Sequence, residues 1–165
     1  MRVVSLAALL LAACHAAPSA TPHGTTPGDR LEAAAEAAGI VTDPARVDPV
    51  GVYARDTDRV CVVPGGAGAY RVGALISYDD GQGCAASGTA TRTGDRLDVR
   101  FGECRVAARF EGDRVSFPAE LPAACATVCT GHATLAALDV ERLSDSPAEA
   151  AALRDAKGQA LCAAR

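Results

Sequence analysis

The sequence predicts a mainly β protein, a small antiparallel β-barrel or sandwich of about seven or eight strands with short N- and C-terminal helices, stapled by disulfides. Three observations predict this fold class. Apolar residues recur with a period of two from Gly51 onward, and turn-forming Gly and Asp residues interrupt the pattern at short intervals. In addition, six cysteines lie from Cys61 to Cys162, which is typical of a disulfide framework.

The first residues have the pattern of an export signal. A positive charge at Arg2 is followed by an apolar run that ends at Ala13 and is too short to cross a bilayer as a helix. The segment Leu11-Ala12-Ala13-Cys14 resembles the lipobox of bacterial lipoproteins. This resemblance implies that Cys14 becomes the first residue after cleavage and carries the acyl chains of a membrane anchor. The alternative is an ordinary secretory signal cleaved near Ala17, and both interpretations export the chain.

The lipobox resemblance also predicts the location and the first partner. It implies a lipid-anchored protein of the bacterial cell envelope, whose partner is the membrane that holds the acyl chains. His15 follows the cysteine in place of Asp, which implies the outer membrane, with the protein facing the periplasm. A formal net charge of −4 and the lack of a basic cluster argue against nucleic acid as a partner. No cofactor is predicted.

Composition and capping signals define the segments on either side of the β pattern. Pro and Gly residues between His15 and Gly28 predict a flexible tether, and Asp29–Ala38 has the high helix propensity of a short helix. Ser146-Pro147-Ala148-Glu149 has the form of a capping box and predicts a C-terminal helix that ends near Gly158. The predicted organisation is a lipoprotein signal peptide over 1–13, a tether over 14–28, a short helix and connector over 29–48, an antiparallel β-domain over 49–143, and a C-terminal helix and tail over 144–165.

The hairpins that the turns imply place apolar residues on the same face of the sheet, which supports the assignment of strands. A two-residue turn at Gly112-Asp113 sets Phe110 opposite Val115, so that both face one side, as a core requires. The apolar parity changes from odd to even at Gly102-Glu103, which predicts a β-bulge there. The predicted strands are Val52–Arg55, Arg59–Val63, Tyr70–Tyr78, Cys84–Arg92, Leu97–Phe101, Cys104–Phe110, Arg114–Phe117 and Ala133–Arg142. The first half of the last strand, ATLAAL, fits a helix equally well.

The cysteine count supports three disulfides once Cys14 is reserved for lipid. An even number of cysteines in an exported chain is typical of complete pairing, although six cysteines allow 15 connectivities. Cys84 and Cys104 are the favoured pair, because they lie on one face near the open end of the same predicted hairpin. Cys162 is expected to pin the last helix through Cys61, Cys125 or Cys129. The candidates are Cys61, Cys84, Cys104, Cys125, Cys129 and Cys162.

A second interpretation gives some of these cysteines a chemical role. Cys125, Cys129 and His132 form a C-x3-C pattern followed by histidine, which resembles the copper site of electron-transfer-chain assembly factors. The resemblance implies an envelope metal or thiol-redox factor. Disulfide pairing is the preferred interpretation, because thiols in an exported protein become oxidised unless they are maintained as thiols.

Function is the least constrained prediction. The sequence contains no catalytic constellation, and the leading hypothesis is a non-enzymatic binding, inhibitory or structural module. In outline the architecture is similar to small barrel lipoproteins such as the periplasmic lysozyme inhibitors and META-type domains, which implies an envelope protein as partner. The inward positions near Gly88 and Ala90 are small, so that either larger residues fill the space or a cavity there carries a small apolar ligand.

Overall fold

Nine antiparallel strands form one sheet that closes on itself in the computed structural model, which describes residues 26–40, 43, 45–78 and 81–162. The strands are β1 (Gly51–Arg55), β2 (Asp58–Pro64), β3 (Tyr70–Ser77), β4 (Gly83–Thr93), β5 (Arg96–Phe101), β6 (Cys104–Phe110), β7 (Arg114–Ser116), β8 (Cys129–Thr130) and β9 (Asp139–Ser144). Their order is β3-β2-β1-β9-β7-β6-β5-β4-β8. Pairing of β3 with β4 closes eight strands into a barrel, and β8 adds a short ninth strand beside β4. The predicted disulfide-stapled β-barrel is therefore confirmed.

The N-terminal part of the predicted organisation is only partly described. The signal peptide over 1–13, Cys14 and the tether up to residue 25 lie outside the described residues. Helix α1 (Pro27–Ala37) begins two residues before the predicted start, because Thr26 and Asp29 form a capping box around Pro27. Every residue of α1 is at least partly exposed, and the described part of the helix contributes nothing to the barrel core.

Alternation along the strands produces the interior of the barrel. Inward positions are apolar and almost fully buried, whereas the intervening positions on β5 and β6 face solvent, as a period of two requires. The largest fully buried side chains inside the barrel are those of Tyr53, Phe110, Leu97, Leu135, Val60, Val62, Val72, Val115 and Val140.

Gly102-Glu103 is a hairpin turn, and the predicted bulge is wrong. Phe101 pairs directly with Cys104, so that β5 and β6 are adjacent strands joined by two residues. Gly102 adopts a φ of 60°, the left-handed conformation that such a turn requires. A two-residue turn pairs odd positions of one strand with even positions of the next. The change from odd to even inward positions is therefore what this register requires, and Leu97 lies opposite Ala108.

The region around the last strand differs from the prediction. Strand β9 covers Asp139–Ser144, whereas residues 133–138 form a buried loop in place of the first half of the predicted strand. Ala137, with a φ of 56°, turns the chain and donates a backbone hydrogen bond to Pro118. Leu135 and Leu138 point into the core from this loop. Apolar residues here close the end of the barrel, which explains why their spacing resembled that of a strand.

The C-terminal segment packs on the outside of the barrel wall. Helix α2 (Pro147–Ala152) is shorter than predicted, because Leu153 is extended and its carbonyl accepts a hydrogen bond from Leu161 as the chain turns back. Leu161 and Cys162 are buried against β2 and β3 and form a small second apolar cluster. The Ser87 hydroxyl donates to the Leu161 carbonyl at 2.6 Å, and the Cys61–Cys162 disulfide fixes the segment covalently.

Gly73 of β3 allows this close approach, and its replacement tests the packing. A Cβ at Gly73 would lie 2.5 Å from the Leu161 carbonyl oxygen and 2.6 Å from Leu161 Cγ. We expect Gly73→Ala to lower the free energy of unfolding by about 1–3 kcal/mol, the usual cost of overpacking. Urea denaturation of the non-reduced protein measures this change. Gly66→Ala is the control, because a Cβ there meets no atom within 4 Å, and an equal effect of both variants would contradict the packing assigned to Gly73.

Candidate functional site

The six cysteines of the described chain are all paired. The disulfides are Cys61–Cys162, Cys84–Cys129 and Cys104–Cys125. Cys162 thus uses one of its three predicted partners. The favoured pair Cys84–Cys104 is wrong, because Cys129 pairs with Cys84 in the β4–β8 ladder and Cys125 packs against Cys104 from the 3₁₀ helix Ala123–Val128. Both disulfides attach the long connection between β7 and β9 to the end of the barrel.

This pairing separates the residues of the predicted metal or thiol-redox cluster. The sulfurs of Cys125 and Cys129 belong to different disulfides, and His132 is an exposed residue whose backbone N–H donates to Gln82. A pair of thiols at this place would require reduction of two structural disulfides. Among the residues described, no group of three or more His, Cys, Asp or Glu side chains is arranged to hold a metal ion.

The opposite end of the barrel is closed by two arginines above aromatic rings. Arg142 lies 4.9 Å from the ring centre of Tyr53, and Arg92 lies 4.8 Å from that of Phe110. The Arg142 guanidinium donates to the carbonyls of Val50, Asp48 and Gly112, and Arg92 donates to those of Val47 and Gly94. These arginines hold the segment before β1 over the end of the barrel, so their hydrogen-bond donors are used to stabilise the fold.

The small inward residues of β4 accommodate close packing. At Gly88 the position of an added Cβ would collide with the Arg100 carbonyl oxygen and lie 3.1 Å from Cδ1 of Phe101. Ala90 is 2% exposed and belongs to the core cluster. Larger groups from β5 thus fill the space beside Gly88, where a cavity for an apolar ligand was the alternative.

The outer wall of β4, β5 and β6 presents an ordered grid of polar side chains. The registers place Thr89 beside Arg100 and Arg100 beside Arg105 in one row across the three strands. The next row is Thr91, Asp98 and Ala107, and the third is Thr93, Arg96 and Arg109. We call these nine residues the arginine wall. A groove of about 520 Å³ lies over the first two rows and Arg96.

Charge is balanced unevenly over this wall. Arg96 binds the Asp98 carboxylate at 2.5 Å, and Arg109 binds that of Glu111 at 3.1 Å. Arg114 of neighbouring β7 likewise binds Asp139 and Glu141. Within the described part of the chain, by contrast, neither Arg100 nor Arg105 makes an ion pair or a side-chain hydrogen bond. Like charges directly opposite each other on paired strands are destabilising, so this row is the least compensated part of the wall.

A second groove lies beside the arginine-closed end. It has a volume of about 440 Å³ and is lined by Val47, Asp48, Val50, Pro64, Arg142, Asp145 and Pro147. Its one guanidinium already binds three backbone carbonyls, as described above. The arginine wall is therefore the candidate site with unused donors.

Thr89, Arg100 and Arg105 were not among the predicted site residues. Arg100 and Arg105 lie on opposite sides of the Gly102-Glu103 turn, and a hairpin assignment there would have placed them side by side. The bulge prediction concealed this pairing.

Comparison with known proteins gives no guide to the function of this surface. Neither a family model, a curated protein nor a solved structure matches the chain. Among the helices that the structure describes, none has the length and apolar character needed to cross a membrane.

Tyr53 makes the stability of the barrel depend on pH in the alkaline range. Its ring is fully buried and its hydroxyl donates to the Pro49 carbonyl at 2.8 Å. Burial raises the pKa of Tyr53 above its ordinary value of 10.0, although the Arg142 guanidinium partly opposes this rise. The unfolded chain therefore releases this proton first, and stability is lost as pH rises above 10.

We expect Tyr53→Phe to reduce the decrease in the free energy of unfolding above pH 10. A single such tyrosine contributes up to about 1.4 kcal/mol per pH unit above pH 10. Denaturant unfolding at pH 8 to 11 measures the slope for both proteins. The missing hydrogen bond to Pro49 lowers the stability of the variant by a similar amount at every pH, so the slope reports the titration alone. Identical slopes would contradict the assigned pKa direction.

Proposed function

We propose that this protein is a lipid-anchored binding module of the bacterial cell envelope, attached through Cys14 to the outer membrane on the periplasmic side and acting without catalysis. The observation that carries the proposal is the cysteine count. The chain has seven cysteines, and three disulfides use all those from Cys61 onward. Cys14 is left over, and it is the cysteine of the lipobox-like segment.

The disulfides support export as well as anchoring. Structural disulfides persist in oxidising compartments such as the periplasm and are rare in the cytosol. Each bridge here joins segments that are distant in sequence, with separations of 101, 45 and 21 residues. Bridges of this kind typically contribute about 2–4 kcal/mol each, mainly by restricting the unfolded chain.

The barrel supports a binding role through its outer surface. Its interior is filled by packed apolar side chains, both ends are covered, and the arginine wall offers a concave polar surface on three rigid strands. Sites on strands are held more precisely than sites on loops, which suits recognition of a ligand or an envelope protein.

The anchor is tested by Cys14→Ser. Because the oxygen of serine does not replace the lipidated sulfur, we expect the variant to move from the membrane fraction to the soluble fraction of the envelope. Mass spectrometry of the wild-type N-terminal peptide should show a diacylglyceryl group on Cys14. Ser19→Ala serves as the control and should stay with the membrane. A wild-type protein that begins near Ala17 without lipid would contradict the proposal.

The disulfides are tested by counting thiols in protein purified without reductant. We expect no thiol to react with an alkylating reagent in the lipidated chain, and peptide mapping should return Cys61–Cys162, Cys84–Cys129 and Cys104–Cys125. Reductant should then expose six thiols and lower the melting temperature. Two reactive thiols at Cys125 and Cys129 in untreated protein would contradict the proposal.

A further inference from the structure

We infer that Thr89, Arg100 and Arg105 form a binding site for a phosphate dianion carried by a phosphomonoester. The inference names the ligand class of the proposed binding module and rests on that function. The three residues form one row across β4, β5 and β6, and all three are exposed.

The uncompensated charge of the row is the first argument. Arg96, Arg109 and Arg114 on the same side of the barrel each bind at least one carboxylate, so exposed arginines of this surface generally receive a partner. Arg100 and Arg105 face each other across the ladder and bind none among the described residues. An anion between the two guanidiniums would replace repulsion by attraction on both sides.

The geometry of the row is the second argument. Directly opposed side chains on antiparallel strands have Cβ atoms about 4.5–5.5 Å apart, which allows two guanidiniums to reach one tetrahedral group. Thr89 lies opposite Arg100 on the other side, and its hydroxyl supplies a further donor. Hydrogen bonding fixes the backbone of all three strands, so the Cα positions from which the three side chains extend are set before the ligand binds.

Charge and shape select the class of anion. Two guanidiniums carry two positive charges, which a phosphomonoester of about −1.5 to −2 at pH 7 neutralises better than a single carboxylate does. The Asp98 carboxylate lies in the adjacent row, but Arg96 already binds it at 2.5 Å. The groove of about 520 Å³ covers both this row and the adjacent row of Thr91, Asp98 and Ala107, which leaves room for the organic part of the ligand.

The test uses the full chain carrying Cys14→Ser, so that the outcome is independent of lipidation at Cys14. Glycerol phosphate and inorganic phosphate are titrated at constant ionic strength, with affinity measured by calorimetry and by amide chemical shifts of β4 to β6. We expect Arg100→Gln/Arg105→Gln to weaken binding by at least about tenfold, the effect of losing charge-assisted hydrogen bonds. Arg100→Lys/Arg105→Lys should bind with intermediate affinity, because it keeps the charge but loses the fork of donors.

Arg109→Gln is the matched control for the single variant Arg105→Gln on the same strand, which should bind more weakly than the control. The control removes one positive charge from the same wall, but the Arg109 guanidinium already binds Glu111. We expect its affinity for glycerol phosphate to stay within about twofold of the wild type. An equal loss in Arg109→Gln would overturn the site, since the effect would then be one of net charge. Equal binding of acetate and glycerol phosphate would overturn the preference for a dianion, and failure to bind either phosphate would overturn the inference.

Vesicles distinguish the two sources of a phosphomonoester. Phosphatidate carries one as its headgroup, whereas phosphatidylglycerol carries a diester, and both are mixed with phosphatidylcholine to equal surface charge. Preference for phosphatidate vesicles that is lost in Arg100→Gln/Arg105→Gln supports a lipid ligand. Binding of glycerol phosphate without that preference supports a soluble phosphorylated ligand. Failure of the Cys14→Ser chain to bind either phosphate, while mass spectrometry still finds the acyl group on Cys14 of the wild type, would refute this site and leave the anchored module standing.

Discussion

Closure of the barrel depends on one long strand. β4 has 11 residues and pairs with β3 along Gly83–Ala90, with β5 along Thr89–Thr93 and with β8 at its first two positions. At Thr89 and Ala90 it pairs with β3 and with β5 at once, and the β5 backbone comes close to β4 at the residue just before them. Gly88 lies at that point, since any side chain there would strike the Arg100 carbonyl. The closed core and the register of the arginine wall both follow from this arrangement.

Local patterns in the sequence predicted most of the barrel because its connections are short. Alternating apolar residues and Gly-Asp turns are local signals, and they placed seven strands to within about two residues. The predictions that failed required tertiary information. Residues 133–138 are apolar because they cover the end of the barrel, and Leu153 ends α2 early because the chain must return Leu161 and Cys162 to the wall. Neither requirement is visible in a short window of sequence.

The disulfide partners and the arginine wall also depend on contacts between segments that are distant in sequence. Cys129 and Cys125 approach the barrel from a connection without regular alternation, so only the folded chain reveals their partners. Arg100 and Arg105, however, were within reach of sequence analysis. Had Gly102-Glu103 been assigned as a turn, strand pairing alone would have set two arginines opposite each other, although the neighbours that neutralise the other arginines would still have required the structure.

The three disulfides are concentric in the sequence: Cys104–Cys125 lies within Cys84–Cys129, which lies within Cys61–Cys162. Their covalent loops are therefore nested along the chain, and none overlaps another only in part. Each inner bridge shortens the loop that the next has to close, so the outer bridges cost less entropy than their separations of 45 and 101 residues alone would require. The loop closed by Cys104–Cys125 therefore has the lowest entropic cost, and the loop closed by Cys61–Cys162 remains the longest even after the other two bridges have formed.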